Sequence, residues 1–477
     1  MQFYSLEFII GFTLFFWAYW LCCRTRKTQN VVLLLASYAF YAYFDWRCLI
    51  LLLITSLTTY TAGILMQRHN EKLFFKRNSR WWAGFSAIAL NLAILGYFKY
   101  AGFLAEIIND LTLQFGGNGV NSTLNIILPI GISFYTFSSI SYVADCYRRQ
   151  IEPTKDIVAC LLYISFFPAI LSGPIHKATK QLPQYLQTRV FDANQVLGGF
   201  KDFLWGAFMK LCVADRLGMY VDAVYSNLEF HNGTSFLTSS ICYTLQIYSD
   251  FAGYSLMAIG LGGMLGIKLQ TNFVRPYFSK TITEFWSKWH MSLTGWFKEY
   301  VYFPLGGNRV SKPRWIFNIM AVFLLSGLWH GAAYTFIIWG AIHGIAQVIE
   351  KLAYGQRMKS IPKGLSFLNV LRIVLTFSIV SFAWIFFRMP SAQDAFYVIK
   401  GIFTNPGAPF VDMHTLFFAG VSLAIMVTKD VIEEYVPEWK LLKSNNQVVS
   451  FATCVVLFLF VLLMGKLDGS SFIYFQF

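Results

Sequence analysis

A chain of 477 residues that is 56% hydrophobic and only 13% charged departs from water-soluble domains, in which about a quarter of residues are charged, so a bilayer is its main solvent. Its 48 Phe, 26 Tyr and 14 Trp suit lipid-facing surfaces and interfacial belts. The net charge of +14 sits in short loops between apolar runs, where basic residues carry topology information; no nucleic-acid partner is implied.

Apolar runs able to cover a hydrocarbon core of about 20 helical residues recur near residues 5–23, 30–44, 48–66, 82–99, 124–144, 156–174, 196–214, 234–267, 315–329, 332–349, 368–387, 414–429 and 448–464. The first run has no Lys or Arg before Phe8 and no small-residue cleavage site after it, which predicts a retained span instead of a removable signal peptide. Arg24, Arg26 and Lys27 follow span one and Arg68, Lys72, Lys76, Arg77 and Arg80 follow span three, whereas the loop near Asp45 and Arg47 is almost neutral. That asymmetry places the N-terminus outside, residues 100–123 outside, and Arg148, Arg149 and Lys155 inside. Lys177, Lys180 and Arg189 break the rule if 156–174 crosses fully, so this segment is expected to dip in and return. Pro129, Pro168, Pro174, Gly327 and Gly331 are places where helices break, tolerable only where protein buries them. The eight cysteines, Cys22 and Cys23 adjacent among them, show no C-x-x-C spacing and are expected to be reduced packing residues. Without an internal repeat or a long polar segment, residues 1–477 read as a single membrane domain, and the inverted-repeat transporters lose their usual signature.

An ionisable group inside an apolar span is a functional-site hypothesis by default. His330, in Ser326-Gly-Leu-Trp-His330-Gly, lies in an uncharged run from Trp315 to Ile349, where desolvation disfavours the imidazolium and leaves a ring able to accept a proton. The alternative is a histidine bonded to a backbone carbonyl opened by Gly327 and Gly331. Thr281 and Glu284 have capping-box spacing, and Trp286, Trp289, Leu293, Trp296 and Tyr300 recur at helical steps. The pattern predicts one interfacial helix over 280–303, on which His290 is either functional or incidental. Asp250, in Tyr248-Ser-Asp250-Phe-Ala-Gly, is the only charge between Glu229 and Lys268; it is either paired, with Lys201, Lys210 or Arg216, or directly involved in chemistry. His343 and His176 are weaker candidates, and His69, His231 and His414 read as loop or interface residues. No H-E-x-x-H, Cys/His cluster, G-x-S-x-G or Walker A pattern occurs, so a metal site is not expected.

These residues stand in longer motifs: Ile130-Gly-Ile-Ser-Phe-Tyr-Thr-Phe, Phe167 to Ile175, Gln246 to Ser255, Ala258 to Gly262, Asn272 to Arg309, Ser326 to Gly344, and a tail ending Phe472-Ile-Tyr-Phe475. Over about residues 125–350 the sequence resembles the membrane-bound O-acyltransferase family, in the bacterial branch holding alginate and peptidoglycan O-acetyltransferases and the teichoic-acid D-alanyl transfer protein. The resemblance implies His330 as the catalytic residue and His290 as a second functional histidine near the cytoplasmic side. Asp250, Tyr248, Trp289, Lys298, Asn308, Ser326 and Trp329, from the same motifs, are candidates for binding substrate or lining its tunnel. The expected fold is all-α: a polytopic ring of about eleven to twelve transmembrane helices around a central tunnel, with interfacial and re-entrant helices. The donor would be acetyl-CoA or an acylated carrier protein, acting as substrate with no bound cofactor. The acceptor would be a hydroxyl of an exported polysaccharide or of an exported, esterase-like partner, and the protein would sit in a bacterial inner or plasma membrane. Some positions depart from the family pattern. Ser287-Lys288 and Lys298-Glu299 stand where relatives commonly have Arg-Arg and Arg-Asp, and lysine cannot make a bidentate guanidinium contact. Leu256 stands where alginate-type relatives often have Asp. D-alanyl transfer to teichoic acid is the alternative within the class, and an ion- or proton-coupled transporter is the distant one.

Overall fold

The computed structural model describes residues 2–67, 73–74, 77–116, 126–355, 364–436, 438–439, 442–467 and 472–473. His69, Arg68, Lys72, Lys76, the segment expected outside after Gly116 (117–123), and Tyr474-Phe475 lie outside the described residues. The chain divides into two compact units, Met1–Val196 with Gly262–Gln270, and Leu197–Leu261 with Thr271–Phe477.

In the first unit, helices form where the apolar runs predict them. Helix α1 (Leu6–Cys22) starts at Ser5, whose hydroxyl accepts the Phe8 N–H at 3.3 Å. Helix α2 (Arg26–Gln67) carries both runs expected at 30–44 and 48–66 in one element of 42 residues, about twice the length needed to cross the hydrocarbon core. It kinks at Asp45 (φ −159°, ψ 108°). There the carboxylate accepts the backbone N–H of Arg47 at 2.9 Å, a local bond that competes with the helical ladder. Helix α3 (Ser79–Gln114) is capped by Asn78, which accepts the Trp81 N–H at 2.9 Å. It runs on to Gln114, well past the run expected at 82–99: Ala101–Gln114 contains no proline and is rich in Leu, Ile and Ala, so nothing local stops the helix.

Helices α4 (Ile132–Tyr147), α5 (Ile157–Ser165), the one-turn α6 (Phe167–Ile170) and α7 (Ala178–Tyr185) follow. The run expected at 156–174 is not one helix: α5 ends at Ser165 and Pro168 opens the next turn, as a ring without an N–H allows at a helix start. Tyr163 of α5 holds the chain after α6 by donating its hydroxyl to the Ser138 carbonyl at 3.0 Å and the His176 carbonyl at 2.8 Å. Arg189, one of the residues that broke the charge rule, is buried. Its guanidinium donates to Tyr19 Oη at 2.8 Å, Asn30 Oδ1 at 2.7 Å and the Gln184 carbonyl at 3.3 Å. It braces this unit and does not serve as a loop charge.

The second unit takes α8 (Ala193–Phe208) from Leu197 on, a π-helical turn at Met209–Ala214, α9 (Asp215–Tyr225) and α10 (Gly233–Met264) as far as Leu261. Its later helices are α11 (Ile282–Lys288), α12 (Met291–Phe297), α13 (Lys312–His330), α14 (Tyr334–Tyr354), α15 (Phe367–Arg388), α16 (Ala392–Thr404), α17 (Met413–Tyr435) and α18 (Gln447–Met464). Among the described residues, α2, α3, α14, α15, α17 and α18 are long and apolar enough to cross a membrane, and α1 and the α5–α6 stretch are shorter and apolar. Phe451 and Leu463 of α18 are 72% and 77% exposed, a surface that lipid and not water suits. The chain is an all-α, multi-pass membrane protein.

Candidate functional site

The segment from Thr281 onward begins as its spacing predicts. Thr281 Oγ1 accepts the Glu284 N–H at 3.0 Å, and Glu284 Oε2 reaches back to accept the Lys280 N–H at 2.8 Å, satisfying donors that a helix start leaves open. The single helix expected over 280–303 is corrected, however. It breaks at Trp289 and His290, with His290 at φ 40°, ψ 53°, a left-handed conformation that few non-glycine residues adopt. Nor do its tryptophans line a headgroup boundary, because Trp286, Trp289 and Trp296 are all buried. The break turns His290 into the protein interior, where it is fully buried.

Rings enclose His290. Phe251 of α10 meets it edge-on with centroids 4.7 Å apart, Phe273 at 6.3 Å and Trp329 at 5.9 Å. Neither ring nitrogen has a hydrogen-bond partner on another described residue. Burial pushes the ring down to about 3, well under the ordinary histidine value, so His290 is neutral at any physiological pH.

His330 is the last residue of α13 and is buried. Its ring packs edge-on against Trp329 at 4.8 Å, Trp339 at 5.0 Å and Phe387 at 5.3 Å. One indole, that of Trp329, therefore touches both histidines. The flanking glycines serve close approach by a neighbouring helix: a Cβ at Gly327 would lie 2.2 Å from the Phe336 carbonyl oxygen, and one at Gly331 2.0 Å from the Phe336 ring. Further along α14, His343 is fully buried. It meets Trp286 at 4.9 Å and Trp339 at 5.0 Å, so it extends the same cluster. Its ring nitrogens also have no hydrogen-bond partner among the described residues.

Of the other expected residues, Trp289 is buried between Phe273 at 5.0 Å and Trp384 at 5.1 Å. Tyr248 packs on Trp289 and donates its hydroxyl to Asp430 Oδ2 at 3.0 Å. Ser326 is buried one turn before His330. Asp250 is ion-paired with Lys210 at 2.6 Å, one of the three pairings the sequence allows. Lys298 and Asn308 are exposed, and Lys298 lies over the Phe303 ring at 5.7 Å; the structure does not bring them to the histidines. Lys288 bonds Glu284 and Glu434, each at 3.0 Å, and Glu434 also bonds Arg275 at 2.8 Å. His231 and His414 pack on Phe410 and Phe418. In the first unit, His176 lines a cavity of about 10 Å³ with Tyr135 and Ser138.

The sequence reading picks out the tail beginning at Phe472 as a motif without giving that residue a role, and it assigns none to Trp339, Trp384, Phe251 or Asp430. The aromatic residues carry no signal that separates them from the many other apolar residues. Asp430 stands just past the expected end of a span, beside Lys429, Glu433 and Glu434, and no motif marks it out.

Residues 35–390 match the model of the membrane-bound O-acyltransferase family. The chain is similar to a protein of Pseudomonas aeruginosa named as a probable alginate O-acetylase, 37% identical over 402 residues covering 84% of this chain and 75% of the relative. It is similar to a peptidoglycan O-acetyltransferase of Helicobacter pylori, 30% identical across 93% of this chain and 91% of the relative. A teichoic acid D-alanyltransferase of Bacillus subtilis is 30% identical over 55% of this chain and 69% of the relative.

Proposed function

Because the chain belongs to the membrane-bound O-acyltransferase family, we propose that it moves an acetyl group from a cytoplasmic thioester to hydroxyls of an exported polysaccharide, directly or through an exported acyl-carrying partner. The observation that carries this reading is the cluster around His330: a histidine buried in α13 among Trp329, Trp339 and Phe387, one indole away from His290. Burial of an imidazole favours its neutral form, the form that can act as a base. His330 takes the proton of the acceptor hydroxyl as its oxygen attacks the thioester carbonyl. The new C–O bond forms, the C–S bond breaks, and the departing thiolate receives the proton. His290 stands on the donor side of this reaction.

The donor is acetyl-CoA or an acylated carrier protein. The enzyme sits in the inner or plasma membrane with its N-terminus outside, and its helices surround a tunnel joining the donor and acceptor sides. The acetyl reading is better supported than D-alanyl transfer, because similarity to the O-acetyltransferases extends over much more of the chain. The test is acylation of the exported glycan by cells carrying His330→Ala, with membrane insertion and folding checked by size exclusion in detergent. Loss of acylation supports the reading; unchanged acylation by folded protein rejects it.

A further inference from the structure

Lys210, Asp215 and Asp250 are 1%, 3% and 1% exposed and form a buried charge cluster. The Lys210 ammonium donates to Asp215 Oδ1 at 2.8 Å and forms an ion pair with Asp250 Oδ1 at 2.6 Å. Buried carboxylates are tolerated when their oxygens are occupied, and the other oxygen of Asp250 accepts the backbone N–H of Ile473 at 2.9 Å. A residue 223 positions away is thereby held to the middle of α10 by a charge-assisted bond. Lys210 itself sits in the π-helical turn at Met209–Ala214, a local geometry frequent at functional sites.

This bond places the preceding residue, Phe472, between two rings of α10. It stacks on Tyr254 with centroids 4.5 Å apart and meets Phe251 at 5.7 Å. Phe251 is the ring nearest His290. His290 has an unfavourable backbone conformation and no hydrogen bond from another described residue to orient its ring, so its orientation depends on the rings around it.

We propose that Phe472 and Ile473 are positioning residues of the acyltransferase site. Asp250 clamps the Ile473 backbone, the clamp seats Phe472 against Phe251, and Phe251 fixes the imidazole of His290. The Lys210–Asp215–Asp250 cluster then acts on the chemistry through this segment. The inference rests on the reading of His290 as a functional residue.

The experiment uses the full chain in proteoliposomes with acetyl-CoA as donor, comparing Phe472→Ala, Phe472→Leu, Ile473→Pro and Ile473→Ala. Proline removes the N–H that Asp250 binds, whereas alanine keeps it. Phe472→Ala and Ile473→Pro should lower kcat about tenfold while KM for the donor changes less than about twofold, as expected when a reacting group is misplaced but binding persists. Phe472→Leu should recover part of the loss, and Ile473→Ala should stay above Ile473→Pro. Independently of turnover, diethyl pyrocarbonate followed by peptide mass mapping should modify His290 faster in the two damaging variants while His176 keeps its wild-type rate. Wild-type kcat and labelling in both variants would overturn the proposal, as would labelling of all buried histidines together, which marks general unfolding. If His290→Ala leaves turnover intact, the functional reading of His290 is what fails, and the labelling still decides whether the clamp holds the ring.

Discussion

Two buried polar clusters in the second unit are built on opposite principles. In the Lys210–Asp215–Asp250 cluster each group is met by an opposite charge or a backbone N–H, so it fixes the chain in place. Around His290, His330 and His343 the neighbours are aromatic rings, and the nitrogens of His290 and His343 receive no hydrogen bond from another described residue. A satisfied cluster holds structure, and a polar group held by shape alone is left able to act on something that is not part of the protein. The comparison predicts that removing charge from the first will cost folding, and removing a base from the second will cost turnover.

The largest effect falls on the histidines. His330→Ala should lower turnover about 10² to 10⁴-fold, the range general base catalysis spans, with the thermal midpoint in detergent within a few degrees of wild type. A drop in thermal midpoint matching the activity loss would collapse the distinction between the clusters. Lys210→Met is the mirror experiment. It leaves two carboxylates buried without their cation, which costs about 3–5 kcal/mol, read as a lowered midpoint or loss of folded protein. Adding Asp250→Asn and Asp215→Asn to Lys210→Met should restore much of the midpoint, because the charges then go together.

Gly327→Ala tests the space beside the histidines. A methyl there meets the Phe336 carbonyl oxygen at 2.2 Å, so α13 and α14 must separate, at a cost of about 1–3 kcal/mol. Gly11→Ala, with nothing within 4 Å, is the matched control. If the two behave alike in thermal unfolding, the helices do not pack closely at His330.

Much of this was legible in the amino-acid order. The apolar runs located nearly every long helix, because crossing a membrane needs a length and composition that no other demand imposes. Asp250 and His330 stood out because a polar residue in an apolar run is expensive. The break at His290 was not legible: Trp289-His290-Met291 contains no Gly, Pro or Asn, and a helical period continues across it on paper. The left-handed turn is held by long-range partners: the Val274 N–H donates to the Lys288 carbonyl at 3.0 Å, the Met291 N–H donates to the Asn272 carbonyl at 2.9 Å, and rings from α10 and α13 pack on the imidazole; such tertiary compensation leaves no local mark. The Asp430–Tyr248 bond and the seat of Phe472 were hidden for the same reason, since each joins residues some 180 or more positions apart.

The smallest expected effect is also the sharpest check on what orients His290. Thr281 caps α11, the seven-residue helix that ends just before His290. Its hydroxyl is one of several acceptors there: Glu284 takes the Lys280 N–H at 2.8 Å, and Glu350 takes the Thr283 N–H at 3.1 Å. Thr281→Ala should therefore cost about 0.5–1 kcal/mol, the low end for a lost N-cap, with turnover near wild type. Thr281→Ala with Glu350→Gln should cost more than the two single changes together, because each acceptor backs up the other. If Thr281→Ala alone lowered turnover as far as His330→Ala, the start of α11 would be holding the imidazole. The rings of Phe251, Phe273 and Trp329 would then be mere filling, and the contrast between a charge-held frame and a ring-held site would fail.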